Sequence, residues 1–266
     1  MIVRPSGKNI AKPQAEYDDP TIQYPYEYDE LLAETEYQYE PLTYAVAALK
    51  AHFRDRDDVY AQGDMFVYYR MNDPSSVVAP DVFVVFGALG NHKRNSWLTW
   101  REGDRQPDFV LEIASESTWH WDAGGKRDIY AQIGVTEYWR FDPTGECFNP
   151  PLIGERLVNG EYRLIEVADD DDGMLRGHSD VLSLDICVRD ELELRLYDPI
   201  HGEWLMYYQE AQDALQAERT AREATETEFE AKREAFRAER TAREAAERRI
   251  RELEEQLLRQ QQGGSR

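Results

Sequence analysis

Apolar positions first recur at helical spacing at Leu42, Ala45, Val46, Ala48, Leu49 and Phe53, which predicts a helix over about 41–54. The period then shortens. Residues 64–70, 81–86 and 107–113 are short runs of β-branched and aromatic residues bounded by Pro, Gly, Asn or Asp, the signature of strands. A second helix is expected over about 123–133, with Ile129, Tyr130 and Ile133 on one side and Gly134 as its cap. Residues 137–141 read as a strand closed by Asp142 and Pro143, and shorter strands are expected near 152–158, 161–167 and 192–197. Helix, strands, helix, strand predicts a mixed α/β layer architecture.

From about Leu205 the pattern changes. Residues 205–266 contain no proline, and glycine occurs there only at 263 and 264. The octapeptide AERTAREA stands at 217–224 and again at 238–245, an offset of three heptads. Leu215, Phe229, Phe236, Ile250 and Leu257 share one heptad position, interrupted by Arg222 and Arg243. The second seam position holds Ala211, Ala246 and Leu253, with Glu218, Thr225, Lys232 and Glu239 between them. A long charged helix with a weak coiled-coil seam follows, reaching roughly 80 Å. A lone helix of that length has little to hold it together, so homo-oligomerisation through 205–262 is expected. The organisation is then an extended arm over 1–24, an α/β domain over 25–204, the helix over 205–262 and a tail over 263–266.

Charge sharpens this division. The 266 residues carry 31 Lys+Arg and 53 Asp+Glu, a formal net charge of −22. Residues 205–266 hold 12 basic and 14 acidic residues, so 1–204 hold the remaining 19 and 39 and carry −20. An acidic body argues against a passive, charge-driven nucleic-acid binder. Nine acids and seven tyrosines alternate between Pro13 and Leu49, either a solvated face with tyrosines packed inward or an acidic, aromatic docking strip. The two cysteines, Cys147 and Cys187, suggest neither a disulfide framework nor a thiolate metal site. The uncharged apolar stretch 82–90 is too short to span a membrane, and the first residues lack the apolar core of a secretory signal. These features suggest a soluble, reduced, cytoplasmic protein with no membrane partner.

Candidate chemistry starts on the third strand. Side chains alternate, so Asp108, Val110 and Glu112 share a face. Two carboxylates on such a face are either exposed or compensated, and a divalent cation is one form of compensation. Asp81 opens the preceding strand, and Lys126 begins the second helix. A lysine beside a metal-bound water can orient it and stabilise developing phosphate charge. Helical spacing sets Asp122, Lys126 and Tyr130 on one side, although Asp122 and Lys126 equally read as an ordinary helix ion pair. Lys93, Arg94, Arg101 and Arg105, interleaved with Trp97 and Trp100, have the composition of a strip that tracks a nucleic-acid backbone. Trp119-His120-Trp121 reads as a loop pinned by two indoles rather than a base-stacking platform. The five histidines show no ligand spacing.

Taken together, APDVFVV around Asp81, PDFVLEIASEST over 107–118 and DAGGKRDIYAQIGVTEYWRFDP over 122–143 resemble the Uma-type restriction-endonuclease family of the PD-(D/E)XK nuclease superfamily. LRGHSDVLSLDI and ELRLYDP resemble its later strands, and the similarity extends over roughly 25–205. The resemblance implies a restriction-endonuclease-like α/β core and Mg²⁺- or Mn²⁺-dependent hydrolysis of DNA. It places Asp81 and Glu112 as metal carboxylates, Asp108 as a further or supporting one, and Lys126 as the catalytic lysine. Ala114 occupies the usual lysine position, so Lys126 would act from the helix, as in members whose lysine has migrated. Glu40 is a weaker candidate for an extra acidic ligand. The competing expectation is a non-catalytic scaffold in which the long helix is the working part.

Overall fold

The structure is a computed structural model that describes residues 17–26, 35–90, 92–170 and 173–263, with side chains of the last helix described to residue 256. The chain divides into two units, Met1–Tyr208 and Gln209–Arg266.

In the first unit the elements run α1 (Glu36–His52), β1 (Val59–Gln62), β2 (Val67–Tyr68), β3 (Val77–Val78), β4 (Val82–Phe86), β5 (Trp97–Leu98) and β6 (Phe109–Ile113). A short turn α2 (Trp119–Trp121), a π-turn (Asp122–Lys126) and α3 (Arg127–Ile133) lead to β7 (Glu137–Phe141), β8 (Leu152–Val158) and β9 (Glu161–Leu164). The last strands are β10 (Val167–Asp169), β11 (Leu175–Ser179), β12 (Leu184–Arg189), β13 (Glu193–Asp198) and β14 (Glu203–Trp204).

Six strands form the central sheet in the order β1-β4-β6-β7-β8-β9. Only β6 and β7 are parallel within it, and the crossover between them carries the π-turn and α3. Five antiparallel strands, β10 to β14, form a second sheet, and β3-β2-β5 a small third one. Alternation decides what each face of the central sheet buries. Val82, Val84, Phe109, Leu111 and Ile113 pack against α1 and against Leu184, Ile186, Leu194 and Leu196 of the second sheet. Phe83, Val85, Val110 and Tyr138 face the other way, onto Tyr60, Trp97 and Tyr130.

The first helix begins five residues before the expected start at about 41, because its opening turn is largely exposed and carries no buried apolar residue. The strand expected over 64–70 shrinks to Val67–Tyr68, since turns at both ends leave only two paired residues. From residue 17 to residue 26 the chain is tied to the small sheet. Tyr24 packs on Tyr68 and Trp100, each with ring centroids 5.1 Å apart, and the Tyr68 hydroxyl donates to the Pro25 carbonyl. Residues 1–16 of the expected arm lie outside the described residues.

One position shows how tightly the sheets close. Trp139 on β7 is fully buried, and its indole lies against the backbone of Gly154 on β8 and Gly177 on β11. A Cβ on Gly154 would stand 2.6 Å from the ring, and one on Gly177 would stand 2.8 Å from it. Gly154→Ala is therefore expected to destabilise the fold by about 1–3 kcal/mol, read as a lower urea midpoint with an unchanged slope.

The second unit is α4 (Tyr208–Gly263), whose described side chains are all exposed. No helix among the described residues is long and apolar enough to cross a membrane.

Candidate functional site

Asp81 stands immediately before β4 and Glu112 near the end of β6. The two strands are antiparallel with Val82 opposite Leu111, so one step outward sets Asp81 opposite Glu112. Parity turns both toward the face that packs against Tyr130. Asp81 Oδ2 accepts the Ile113 N–H at 2.7 Å, and the Asp81 N–H approaches Glu112 Oε2 at 3.4 Å.

Asp122–Lys126 wind as one turn of π-helix before α3. Gly124 and Gly125 leave this turn without side chains at its centre, and a Cβ on Gly125 would fall inside the Trp121 ring. The second indole of the Trp-His-Trp loop can lie over the turn only because that position is glycine. Tyr138 fixes the turn from beneath, its hydroxyl donating to the Asp122 carbonyl at 2.8 Å. This geometry brings Lys126 Nζ to 2.8 Å from Glu112 Oε2 and 3.0 Å from Asp122 Oδ1. The Tyr130 hydroxyl donates to Glu112 Oε1 at 2.6 Å, so this tyrosine supports the glutamate rather than the lysine.

Three carboxylates thus share one ammonium in a nearly dry place: Glu112 is 1% exposed and the Lys126 side chain 13%. Burial raises the pKa of Asp81 and of Glu112, with Lys126 opposing the rise at both. Burial also works against the Lys126 ammonium, yet Glu112, Asp122 and Asp81 together hold its pKa above the ordinary lysine value. Lys126 is therefore a permanent cation at neutral pH, suited to orient and stabilise negative charge and unsuited to take a proton. Burial and the neighbouring Glu112 likewise push the Tyr130 phenol well up, so it remains a donor.

The donor set fits a hard divalent cation. The cluster has an excess of buried negative charge, and Asp122 Oδ1 is a buried oxygen with no hydrogen bond. That oxygen lies within ion-pair distance of Lys126 but off the direction a hydrogen bond needs. No group of three His, Cys, Asp or Glu among the described residues forms a complete cation cage. Magnesium commonly takes only one or two carboxylates, with water and phosphate completing its shell. Asp81 and Glu112 meet that requirement.

Other expected residues fall elsewhere. Asp108 shares the parity of Glu112 but sits four residues back, roughly 13 Å along the strand. There its Oδ2 accepts the Phe86 N–H at 2.7 Å, closing the far end of β4. Asp108 therefore lies outside the cluster of Asp81, Glu112 and Lys126. Glu40 is exposed on α1, which packs on the opposite face of the sheet.

Of the basic strip, Arg94 is drawn inside the fold, while Lys93, Arg101 and Arg105 stay exposed. Arg94 bonds to the buried Glu102 at 2.6 and 2.8 Å, and its guanidinium lies 4.6 Å from the Tyr60 ring centroid. Arg101 pairs with Asp18 at 2.6 Å, and Trp97 is fully buried with its N–H donated to the Arg105 carbonyl. Composition pointed to a surface for phosphate; the structure turns Arg94 and Trp97 inward and leaves Lys93, Arg101 and Arg105 exposed. Asp122 is the reverse case: its spacing from Lys126 allowed an ordinary surface pair, and the π-turn carries both into the buried cluster.

Comparison with known proteins follows this geometry. The model of a family named Uma2, described as "Putative restriction endonuclease", matches residues 30–196. A crystal structure described as a putative nuclease belonging to DUF820, from Anabaena variabilis ATCC 29413, is similar at a TM-score of 0.39 and 15% identity. It covers 56% of this chain and 74% of its own. No curated protein matches the chain in sequence.

Proposed function

The chain belongs to the Uma2 restriction-endonuclease family, and from that premise we propose that it is a metal-dependent DNA endonuclease acting through Asp81, Glu112 and Lys126. The observation that carries this reading is the convergence of two strand carboxylates and a permanently charged lysine in one buried cluster. Asp81 and Glu112 would hold Mg²⁺ or Mn²⁺, which supplies the Lewis acid that activates water and neutralises the scissile phosphate. The chain's own groups do the positioning. The Ile113 amide fixes Asp81, the Tyr130 hydroxyl fixes Glu112, and Asp122 holds Lys126 from the other side. Lys126 contributes an ammonium that aligns the attacking water and balances charge on the phosphate.

A bound cation also answers the charge of the body. A surface of net −20 repels DNA, and of the loop cations that could offset it Arg94 and Arg101 are already paired, while Lys93 and Arg105 stay exposed. The second reading, a non-catalytic scaffold, draws on the same facts: both Glu112 oxygens already have internal partners.

One experiment separates the two. The full chain is titrated calorimetrically with Mg²⁺ and Mn²⁺ beside Asp81→Asn, and the same preparations are assayed for plasmid nicking. The nuclease reading expects saturable binding of one or two ions with metal-dependent nicking, both lost in Asp81→Asn. A folded chain that neither binds nor nicks supports the scaffold.

A further inference from the structure

We propose that α4 is the interface for a second copy of this chain and that the two helices run antiparallel, in register about a point between Glu230 and Ala231. The helix presents Tyr208, Leu215, Phe229, Phe236, Ile250 and Leu253 to solvent, each at least 42% exposed. These residues fall on the two seam positions of one heptad frame, so they form a single stripe down the helix. Nothing among the described residues of this unit covers the stripe, and Phe229 and Phe236 edge a shallow groove with Lys232, Arg233 and Arg237.

What selects the occupant and its direction is charge. The stripe is interrupted by Glu218, Arg222, Lys232, Glu239 and Arg243. In a parallel, in-register pair each residue meets its own copy, so all five positions become contacts between like charges within the seam. Like charges there oppose association. An antiparallel pair matches one seam position with the other. With its centre between Glu230 and Ala231, Arg222 meets Glu239 of the second copy, and Arg243 meets Glu218 of the second copy. Symmetry doubles both, giving four opposite-charge contacts. Lys232 moves onto the ring of Phe229 of the second copy, a cation–aromatic contact.

The same register aligns the apolar ends. Tyr208 meets Leu253, Ala211 meets Ile250, and Leu215 meets Ala246 of the second copy. One choice of register therefore resolves four of the five interruptions into ion pairs and closes both ends with apolar layers. The cause is the 21-residue repeat: the Glu-Arg pair at 218 and 222 returns at 239 and 243, which makes the helix charge-complementary to its own reverse. The intrahelical pairs Arg222–Glu226 and Arg243–Glu247 are more than 50% exposed on average and leave those guanidinium groups accessible to a new partner. The two Tyr208 positions then lie roughly 70 Å apart along the axis, where a parallel pair would bring them side by side.

The test is sedimentation equilibrium of the full chain beside Glu239→Arg and the double variant Arg222→Glu/Glu239→Arg. A dimer is expected for the natural chain. Glu239→Arg sets Arg222 against a cation twice per dimer and is expected to weaken association about tenfold or more. The double variant restores opposite charges and should recover most of the loss. In a parallel pair position 239 faces its own copy, so Glu239→Arg merely exchanges one like-charge contact for another. A monomeric natural chain, a different oligomer, or association insensitive to Glu239→Arg would overturn the proposal. Both variants change only exposed helix positions, so circular dichroism of each should match the natural chain.

Discussion

Replacing Lys126 by Met is expected to destabilise the folded body by about 3 kcal/mol at pH 8 and by far less near pH 5. The substitution keeps the length of the side chain and removes the only ammonium among Asp81, Glu112 and Asp122. Three carboxylates are then left facing each other in a buried place, and breaking a buried ion pair from one side is costly because the remaining charge is uncompensated. The pH dependence follows from the carboxylates. Burial already places Asp81 and Glu112 above their ordinary pKa, and loss of the lysine that opposes this raises them further. An acid whose folded pKa is raised imposes no penalty below its unfolded value near 4. The penalty grows as pH climbs from there toward the folded value. Lys126 itself has the opposite profile. Its raised pKa gives a contribution fully present below about 10.4 and lost only above, so it is constant across this window in the natural chain. Urea unfolding of both proteins at pH 5, 6.5 and 8 measures the gap. A gap independent of pH would mean that Lys126 serves only as packing.

The parts of this site that sequence made legible are those fixed by period. Residues 137–141 and 152–158 were readable as strands to the residue, because short runs rich in aromatic or β-branched residues are bounded by turn-forming residues. Asp81 and Glu112 followed from the start of one strand and the end of the next, and antiparallel pairing brings them together. Parity alone could not separate Asp108 from Glu112. It assigns a face and says nothing about distance along the strand, and the Phe86 amide that claims Asp108 comes from a neighbouring strand's end.

Other features needed three dimensions. The second sheet was only partly legible, since β11 has Gly177 and Ser179 rather than apolar residues at its buried positions and turns Arg176 and His178 outward. Those side chains pair with Asp185 on the adjacent strand, a compensation no local window contains. The helix expected over 123–133 begins as a π-turn because Gly125 admits the Trp121 ring. That change of winding decides where Asp122 and Lys126 point. Arg94 was misleading for a related reason: composition does not distinguish an arginine facing water from one laid over Tyr60 and bonded to a buried glutamate.

Glu112→Gln should move stability the other way and remove the proposed nicking activity. The cluster would fall from three carboxylates to two while keeping its ammonium. Glutamine can turn its carbonyl oxygen toward Lys126 and its amide toward Tyr130, whose hydroxyl can accept as well as donate. Every buried partner of Glu112 therefore stays satisfied, and the variant should be more stable than the natural chain by about 1–2 kcal/mol at pH 8 without metal. Because Glu112 titrates above its ordinary value, the gain should vanish near pH 4, where the natural side chain is also neutral in both states, and grow as pH rises. Nicking should fall by about a thousandfold or more, the loss of roughly 4 kcal/mol of transition-state stabilisation, since a neutral amide is a poor ligand for a hard cation. The two effects answer different questions. A stabilised but inactive variant is what a site built for function over stability produces, because the buried excess charge that a cation needs is a cost to the empty fold. A variant that loses both stability and nicking would place Glu112 in the architecture alone. One that keeps full nicking would remove it from the chemistry.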